Sequence, residues 1–256
     1  MSEAARLIMH FSVFDELAAA QKRLLLNGMR NHSYQAKEIV YSEQDEPSDR
    51  VYVVVSGYLK ASCTDAAGVE LVFSILGPGD SFGELSMLDG QPRGATISAI
   101  TAAEVVSIAG NAFQAALDAS PALARSLLKT MGVRLRSLAS RCQCLLSTDV
   151  SQRLAMVLSR LSQKFGTRDA QGAIHLPFRI SQQDLGAMVG ATRESVNKCL
   201  REWTLLGLVR HHRGRLVVCD PAALEHWRLV APATGSCGPR RLRERRRGSH
   251  QPRARA

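Results

Sequence analysis

The chain has 256 residues, of which 45% are hydrophobic and 22% charged, and it carries a formal net charge of +10. This length and apolar content predict a globular protein of two modest domains, because a chain of this size can bury two separate cores. No run approaches the about 18 apolar residues of a membrane span, and no basic segment followed by an apolar one opens the chain. We therefore expect a cytoplasmic protein without a membrane partner.

Residues 231–256 concentrate the positive charge. They hold eight Arg and one Glu, a net charge of +7, which leaves only +3 of the total +10 for the rest of the chain. Because the segment has almost no apolar residues to bury, we expect a disordered, Arg-rich tail. Two roles stay open for it, non-specific binding to phosphates or a solvated segment without a function.

The six cysteines do not form a metal-binding pattern. None belongs to a Cys-x-x-Cys pair, and Cys142 and Cys144 are two apart, which on a helix points them to different faces. A structural zinc site needs four convergent ligands, and this spacing does not supply them. We expect buried thiols, no metal and no haem. Cys63 is the one weak candidate for an axial haem ligand.

The first half of the chain reads as β-structure after a short helical lead-in over residues 11–30. From about Tyr34 to Ile108, short β-branched runs alternate with turn residues. Short strands at regular spacing are typical of a small antiparallel barrel or jelly roll, which we place in residues 1–119. The apolar members of the lead-in are Phe11, Phe14, Leu17, Leu24 and Leu25. The predicted strands cover residues 50–57, 58–62, 69–76, 95–100 and 103–108.

The segment Phe82-Gly-Glu-Leu-Ser-Met-Leu-Asp-Gly-Gln-Pro-Arg-Gly-Ala-Thr96 has the chemistry to bind a phosphorylated sugar. Gly83 permits close backbone approach, and a turn around residues 84–86 would aim amides at an anion. Arg93 offers a forked, charged donor to a phosphate, and Glu84 can accept a hydrogen bond from a hydroxyl. The residues alone leave a second interpretation open, a structural ion pair between Arg93 and Glu84.

Residues 120–147 are predicted to form one long helix that begins at Ser120-Pro121, an N-cap and first-turn pair. Apolar residues recur along it in steps of three and four, a spacing typical of a coiled-coil seam. We predict a dimerisation helix, and the alternative is an amphipathic helix that packs only on its own domain. The predicted seam consists of Leu128, Met131, Leu135, Leu138, Cys142 and Leu145.

Residues 148–230 are predicted to form a winged helix-turn-helix domain. A helix over Asp149–Lys164 precedes residues 180–201, which read as two short helices joined at Gly190. Thr192 is placed as the N-cap of the second helix. The inner faces of the two helices carry Ile180, Leu185, Val189, Val196 and Leu200.

A predicted two-stranded wing follows over Gly207–Cys219 and turns at Arg213-Gly214. A strand-like run over residues 173–177 precedes the helix-turn-helix and completes this part of the domain. Arg213 and Arg215 are expected to point toward DNA phosphates from the wing.

Phe82-Gly-Glu-Leu85 followed by Pro92-Arg-Gly-Ala-Thr96 resembles the phosphate-binding cassette of cyclic nucleotide-binding domains. With the helix-turn-helix downstream, residues 10–225 resemble the cyclic-AMP receptor protein and FNR (Crp/Fnr) family of bacterial transcription regulators. The resemblance implies an α+β fold with an N-terminal cyclic-nucleotide-binding β-barrel (jelly roll), a long dimerisation helix and a C-terminal winged helix-turn-helix. It also implies an effector-controlled homodimer that binds double-stranded DNA and works with RNA polymerase.

The resemblance assigns roles in the cassette by position. Glu84 would bind the ribose 2′-hydroxyl and Arg93 the cyclic phosphate, while the backbone amides of Ser86 and Gly94 would complete the anion site. The implied cyclic-nucleotide positions are Gly83, Glu84, Leu85, Ser86, Arg93, Gly94 and Ala95.

In the second helix of the helix-turn-helix, Arg193, Glu194 and Lys198 match by position the residues that read TGTGA-type half-sites in this family. The chemistry agrees, because Arg can fork onto guanine O6 and N7 and Glu can accept from cytosine N4. Lys198 stands where the family has Arg and loses the planar fork, so we expect looser discrimination there. The full DNA-binding set is Ser181, Gln182, Gln183, Thr192, Arg193, Glu194, Ser195, Lys198, Arg213 and Arg215.

The effector is less defined than the DNA contacts. Leu138 and Ala139 stand where cyclic-AMP-responsive relatives place a Thr and a Ser that bind the adenine, and neither side chain can hydrogen-bond. A different nucleotide, a redox- or gas-sensing member of the family and a ligand-independent regulator stay open as alternatives, as does a redox-switched disulfide between two Cys142 thiols. Regulation through protein partners is the alternative to DNA binding, and the absence of a nucleophile–base pair argues against an enzyme.

Overall fold

The computed structural model describes residues 28–229 together with Lys22, Leu25 and Leu26. Those three residues are helical, whereas Arg30 already begins a strand, so the predicted lead-in ends before residue 30. The other expectations for the two ends of the chain, Phe11, Phe14, Leu17 and Leu24 in the lead-in and the tail over residues 231–256, lie outside the described residues.

Two four-stranded sheets form the N-terminal domain, and every strand pair in them is antiparallel, as predicted. One sheet has the order β1-β8-β3-β6 and the other the order β2-β7-β4-β5. All five predicted strands are present, with ends shifted by up to two residues. The strands are β1 (Arg30–Tyr34), β2 (Ile39–Tyr41), β3 (Arg50–Ser56), β4 (Leu59–Thr64), β5 (Glu70–Leu76), β6 (Ser81–Phe82), β7 (Thr96–Ala99) and β8 (Ala103–Ala109).

Three strands of this domain were not predicted. Strand β1 has the sequence Arg-Asn-His-Ser-Tyr, which lacks apolar alternation, and it is held in register by β8 from Arg30 opposite Ser107 to Tyr34 opposite Ala103. Strands β2 and β6 have three and two residues, too short for a periodic pattern.

Three helices follow the sheets or interrupt them, namely α1 (Glu84–Asp89), α2 (Gly110–Ala119) and α3 (Pro121–Ser147). Helix α3 is the predicted long helix, and Ser120 caps it by accepting a hydrogen bond from the Leu123 amide at 3.3 Å. Only Leu123 and Leu127 of α3 are buried. Although α3 has 27 residues, neither it nor another helix in the described part is long and apolar enough to cross a bilayer.

The C-terminal domain has the predicted winged helix-turn-helix order. Asp149 begins it with a capping box, in which its side chain binds the Gln152 amide and the Gln152 side chain binds the Asp149 amide. Its sheet has the order β11-β12-β10-β9. The elements are α4 (Val150–Phe165), β9 (Thr167–Arg168), β10 (Ile174–His175), α5 (Gln182–Val189), α6 (Arg193–Leu205), β11 (Val209–His212), β12 (Arg215–Val218) and α7 (Pro221–Leu229).

One hydrophobic core spans the two domains. Trp203 of α6 is fully buried in the C-terminal domain, and Val72 and Ile75 of β5 belong to the same cluster. The Tyr58 ring lies 4.5 Å from that of Phe178, centroid to centroid. Since burying one such apolar side chain stabilises the fold by about 2 kcal/mol, parting the domains would be costly.

Candidate effector pocket and DNA-reading surface

The cassette between β6 and β7 brings several predicted residues together in the interior. Glu84 and Arg93 are 1% and 2% exposed, and Ser86 is buried beside them, where its hydroxyl donates to the Gln91 carbonyl at 2.7 Å. Gly83 has φ 80°, and a Cβ atom at that position would lie 2.8 Å from Arg93 Nη1. Glycine suits this position, because it adopts the left-handed backbone without strain and leaves room for the guanidinium.

The remaining predicted cassette positions lie outside this buried cluster. Leu85 and Gly94 are exposed and Ala95 is half-buried, so the Leu85 side chain lies away from Glu84 and Arg93. The turn expected over residues 84–86 is the first part of the short helix α1.

Arg93 is held mainly by backbone carbonyls. Its Nη1 donates to the Gly83 carbonyl at 2.6 Å and its Nη2 to the Arg50 carbonyl at 3.1 Å. The guanidinium carbon lies 4.4 Å from the ring centroid of Tyr41, within cation–π range. Burial raises the pKa of Tyr41, which keeps this ring neutral. The Nε of Arg93 is buried and has no hydrogen-bond partner among the described residues.

Glu84 pairs with a residue that the sequence did not single out. Arg134 of α3 donates to Glu84 Oε1 and to the Ser81 carbonyl, so the long helix closes one side of the cassette. The second carboxylate oxygen of Glu84 is buried without a partner in the described part of the chain. The alternative of an Arg93–Glu84 ion pair is thus not what the structure shows. The sequence feature that could have indicated Arg134 as a site residue is its position on α3 beside the predicted seam.

In the helix-turn-helix, several predicted DNA contacts serve first as caps. The Ser181 hydroxyl accepts from the Asp184 amide at 2.9 Å, and the Thr192 hydroxyl accepts from the Ser195 amide at 3.2 Å. Gly190 ends α5 with φ 62°, as a left-handed C-cap requires. Gln182 donates to Asn197 Oδ1 at 3.2 Å and thereby joins the two helices. These bonds fix the orientation of α6 relative to α5.

The predicted base readers lie free on the surface of α6. Arg193, Glu194 and Lys198 are exposed, as is Gln183 of α5, while Val196 and Leu200 face the core. No salt bridge of residues 28–229 involves any of these three side chains of α6. Their charged groups are available to a ligand.

The wing turns where predicted. Arg213 and Gly214 have φ 51° and 76°, the pair of positive values that a tight hairpin of this handedness needs. The exposed Arg213 and Arg215 line a cleft of about 500 Å³. Arg179, which the sequence did not single out, lines the same cleft and donates to the Arg213 carbonyl at 3.3 Å.

The predicted seam of α3 is a partly exposed apolar stripe. Leu135 is 70% exposed, and Leu128, Leu138, Cys142 and Leu145 are exposed too. Met131 is half-buried, because it packs on the core of the N-terminal domain. At the far end of the helix, Leu145 reaches Gly190, since a Cβ atom there would lie 3.0 Å from Leu145 Cδ2.

Comparisons with known proteins agree with this architecture. Residues 31–120 match the family model described as cyclic nucleotide-binding domain, and residues 152–227 match that of the Crp-like helix-turn-helix domain. The CRP-like cAMP-activated global transcriptional regulator of Mycobacterium tuberculosis is 34% identical over 181 residues, 71% of this chain and 80% of that protein.

Two further similarities extend over more of the chain. The cyclic AMP receptor protein of Thermus thermophilus is 29% identical over 214 residues, 83% of this chain and 94% of that protein. The structure of FixK2 from Bradyrhizobium japonicum has the same fold, with a TM-score of 0.68, 22% identity, and coverage of 81% of this chain and 99% of that one.

Proposed function

The chain belongs to the Crp/Fnr family of DNA-binding transcription regulators, and we propose that it acts as a homodimer on an inverted repeat of TGTGA-like half-sites. RNA polymerase is its proposed partner at promoters. The proposed division is an effector domain over residues 1–119, a dimerisation helix over 120–147, a DNA-binding domain over 148–230 and a tail over 231–256.

The exposed side chains at the start of α6 carry the proposal for DNA. Arg193 would bind guanine, Glu194 would accept from cytosine, and Lys198 would contribute a charge without a planar fork. Arg213 and Arg215 on the wing, and Gln183 at the start of α5, would bind phosphates and fix the register. Ser181, Gln182, Thr192 and Ser195 combine this role with the capping and bridging bonds described above.

The apolar stripe on α3 supports the proposed dimer. Leu128, Leu135 and Cys142 follow one another at intervals of seven, as do Met131, Leu138 and Leu145. Two such rows are the a and d positions of a coiled-coil seam, and a second copy of α3 would remove them from water. Two-fold symmetry of the dimer would match the two-fold symmetry of an inverted repeat.

A cyclic nucleotide is the proposed effector of the cassette. The unpartnered atoms, Glu84 Oε2 and Arg93 Nε, are an acceptor for a sugar hydroxyl and a donor for a phosphate. Leu138 and Ala139 on α3 offer no side-chain hydrogen bond to a base, so we do not assign the effector to cyclic AMP.

Fluorescence anisotropy would test the DNA proposal. The probe is a duplex with two inverted TGTGA half-sites whose centres are one helical turn apart, about 10 base pairs. We expect binding about 10³-fold tighter than to a scrambled duplex of equal length at the same salt concentration. Equal affinity for both duplexes contradicts sequence-specific binding, and equal affinity for one half-site and two contradicts the dimer.

A further inference from the structure

A groove of about 1050 Å³ lies between the β5–β6 segment, helix α3 and helix α4. Its basic lining residues are five from α3, among them Arg134 and Arg141, and two from α4, Arg160 and Lys164. A single carboxylate, that of Asp80, lines it. The residues of the cassette itself do not line the groove, but Arg134 does, and it also pairs with Glu84.

Two of the charges are already balanced. Arg134 has Glu84 as its counterion, and Lys164 lies 2.8 Å from Asp80. The other five basic residues of the groove take part in no salt bridge of the described chain, and Arg141 and Arg160 are the two of them that face each other from α3 and α4. The end of the groove that they line is therefore a place of uncompensated positive charge.

Arg160 reaches the turn of α3 that leads to Arg141. Arg160 of α4 donates from Nη1 to the Ser137 hydroxyl at 3.0 Å, and Ser137 precedes Arg141 by one helical turn. Both side chains line the groove, and burial together with the nearby charge of Arg160 lowers the pKa of Arg141. Among the described hydrogen bonds, Arg160 uses one nitrogen of its guanidinium, and the group has five N–H donors.

We infer that Ser137, Arg141 and Arg160 form a second anion subsite, which binds a phosphate group of a nucleotide that has two phosphates. The inference rests on the proposed function, because the cassette must hold the first phosphate. An oxyanion between the two guanidinium groups would replace their repulsion by charge-assisted hydrogen bonds. Leu138 and Ala139, which follow Ser137 on α3, have no side-chain hydrogen-bond donors.

The spacing suits one ligand. Arg134, beside the cassette, and Arg141, at the new subsite, are seven residues apart, about 10 Å along the helix axis. A dinucleotide that spans this separation would contact both side chains. Phe73, Val157 and Met188 line the same groove and supply apolar surface for a base.

The subsite also touches both domains. Arg141 donates to the Phe73 and Val72 carbonyls of β5 at 2.7 and 2.8 Å, and to the Met188 carbonyl of α5 at 2.8 Å. Arg160 belongs to the first helix of the DNA-binding domain. A phosphate held here would favour the present arrangement of the domains over one in which α4 and β5 separate.

Calorimetry on the full chain tests the inference. It compares the affinity for cyclic AMP with that for cyclic di-AMP, and the affinity for cyclic GMP with that for cyclic di-GMP. Each pair shares its base and differs in phosphate number. We expect one dinucleotide to bind at least ten-fold tighter than its mononucleotide. Arg160→Gln should weaken that dinucleotide at least ten-fold and leave the mononucleotide unchanged, as expected for the loss of a hydrogen bond to a charged group.

Arg168→Gln is the matched control, because Arg168 is an exposed arginine of the same domain outside the groove, and it should leave all affinities unchanged. Arg160→Lys should restore part of the dinucleotide affinity, which a folding defect would not do. Two results would overturn the subsite and leave the effector proposal standing. In the first, a mononucleotide binds and neither dinucleotide binds tighter; in the second, Arg160→Gln changes the affinity for both ligands equally. Absence of binding by all four nucleotides overturns the effector proposal as well.

Discussion

Lys60 Nζ lies 2.8 Å from Asp184 Oδ1, and this ion pair joins strand β4 of the effector domain to the first helix of the helix-turn-helix. Lys60 also pairs with Glu70 at 2.8 Å, so one ammonium holds two carboxylates. Burial opposes the charge of Lys60, yet its hydrogen bonds to Asp184 and Glu70 outweigh burial and raise its pKa. A link between the N-terminal domain and the helix-turn-helix is thus electrostatic and depends on pH.

The pH dependence of stability is a first prediction. Burial would raise the pKa of Asp184, but hydrogen bonds from Lys60 and Ser181 prevail and lower it. The contribution of Asp184 is then fully present above its unfolded pKa of about 3.9 and is lost as pH falls through the lower folded value. Asp184→Asn should remove about 1 kcal/mol of stability at pH 7 and less at pH 3, measured by urea unfolding. A deficit that grows on acidification would contradict the pair.

The recognition helix gives a second prediction. Arg193→Ala should weaken binding to the inverted repeat by about 1–3 kcal/mol and relax discrimination at one guanine. The measurement is anisotropy with duplexes that carry each base at that position. Arg213→Ala is the comparison, because a phosphate contact should lower affinity for specific and scrambled duplexes alike. Equal losses for Arg193→Ala on both duplexes would remove its base-reading role.

A third prediction concerns the buried carboxylate of Glu84. Arg134→Met leaves that charge without a counterion in the interior and should destabilise the protein by about 3 kcal/mol or more, seen as a lower Tm. The double variant Arg134→Met/Glu84→Gln should recover much of the loss, because the uncompensated charge is gone. Additive losses in this double-mutant cycle would show that the two residues do not interact.

Dimer assembly provides a fourth prediction. Leu135→Lys places a charge in the proposed seam and should shift the protein toward monomer in sedimentation equilibrium. Val133→Lys is the matched control, since Val133 is exposed on the same helix but lies at the heptad position farthest from the seam. If both variants dissociate alike, the seam is misassigned.

The helix-turn-helix and α3 were predictable because local signals agree with tertiary packing. Ser120-Pro121, Asp149, Gly190 and Thr192 are caps whose geometry depends on their own segment, and each ends or begins a helix where expected. Strand β1 had no such local signal, because its polar residues adopt the strand conformation only through pairing with β8.

Long-range contacts explain what sequence reasoning missed in the site. Arg134 and Glu84 are 50 residues apart, and only the packing of α3 on the cassette brings them together. Arg93 likewise donates to the carbonyl of Arg50, 43 residues away in the sequence, and not to Glu84. Residue type indicated that Glu84 and Arg93 belong to a site. The partners of these two side chains follow from the tertiary fold.

The contact between Leu145 and Gly190 has a consequence for the length of the DNA target. Leu145 lies in the last turn of α3, and Gly190 is the joint between α5 and α6. In the proposed dimer, the separation of the two recognition helices is therefore set by how α3 packs on that joint. A small rotation of one α3 helix against its twin would change the number of base pairs that the two half-sites must have between them.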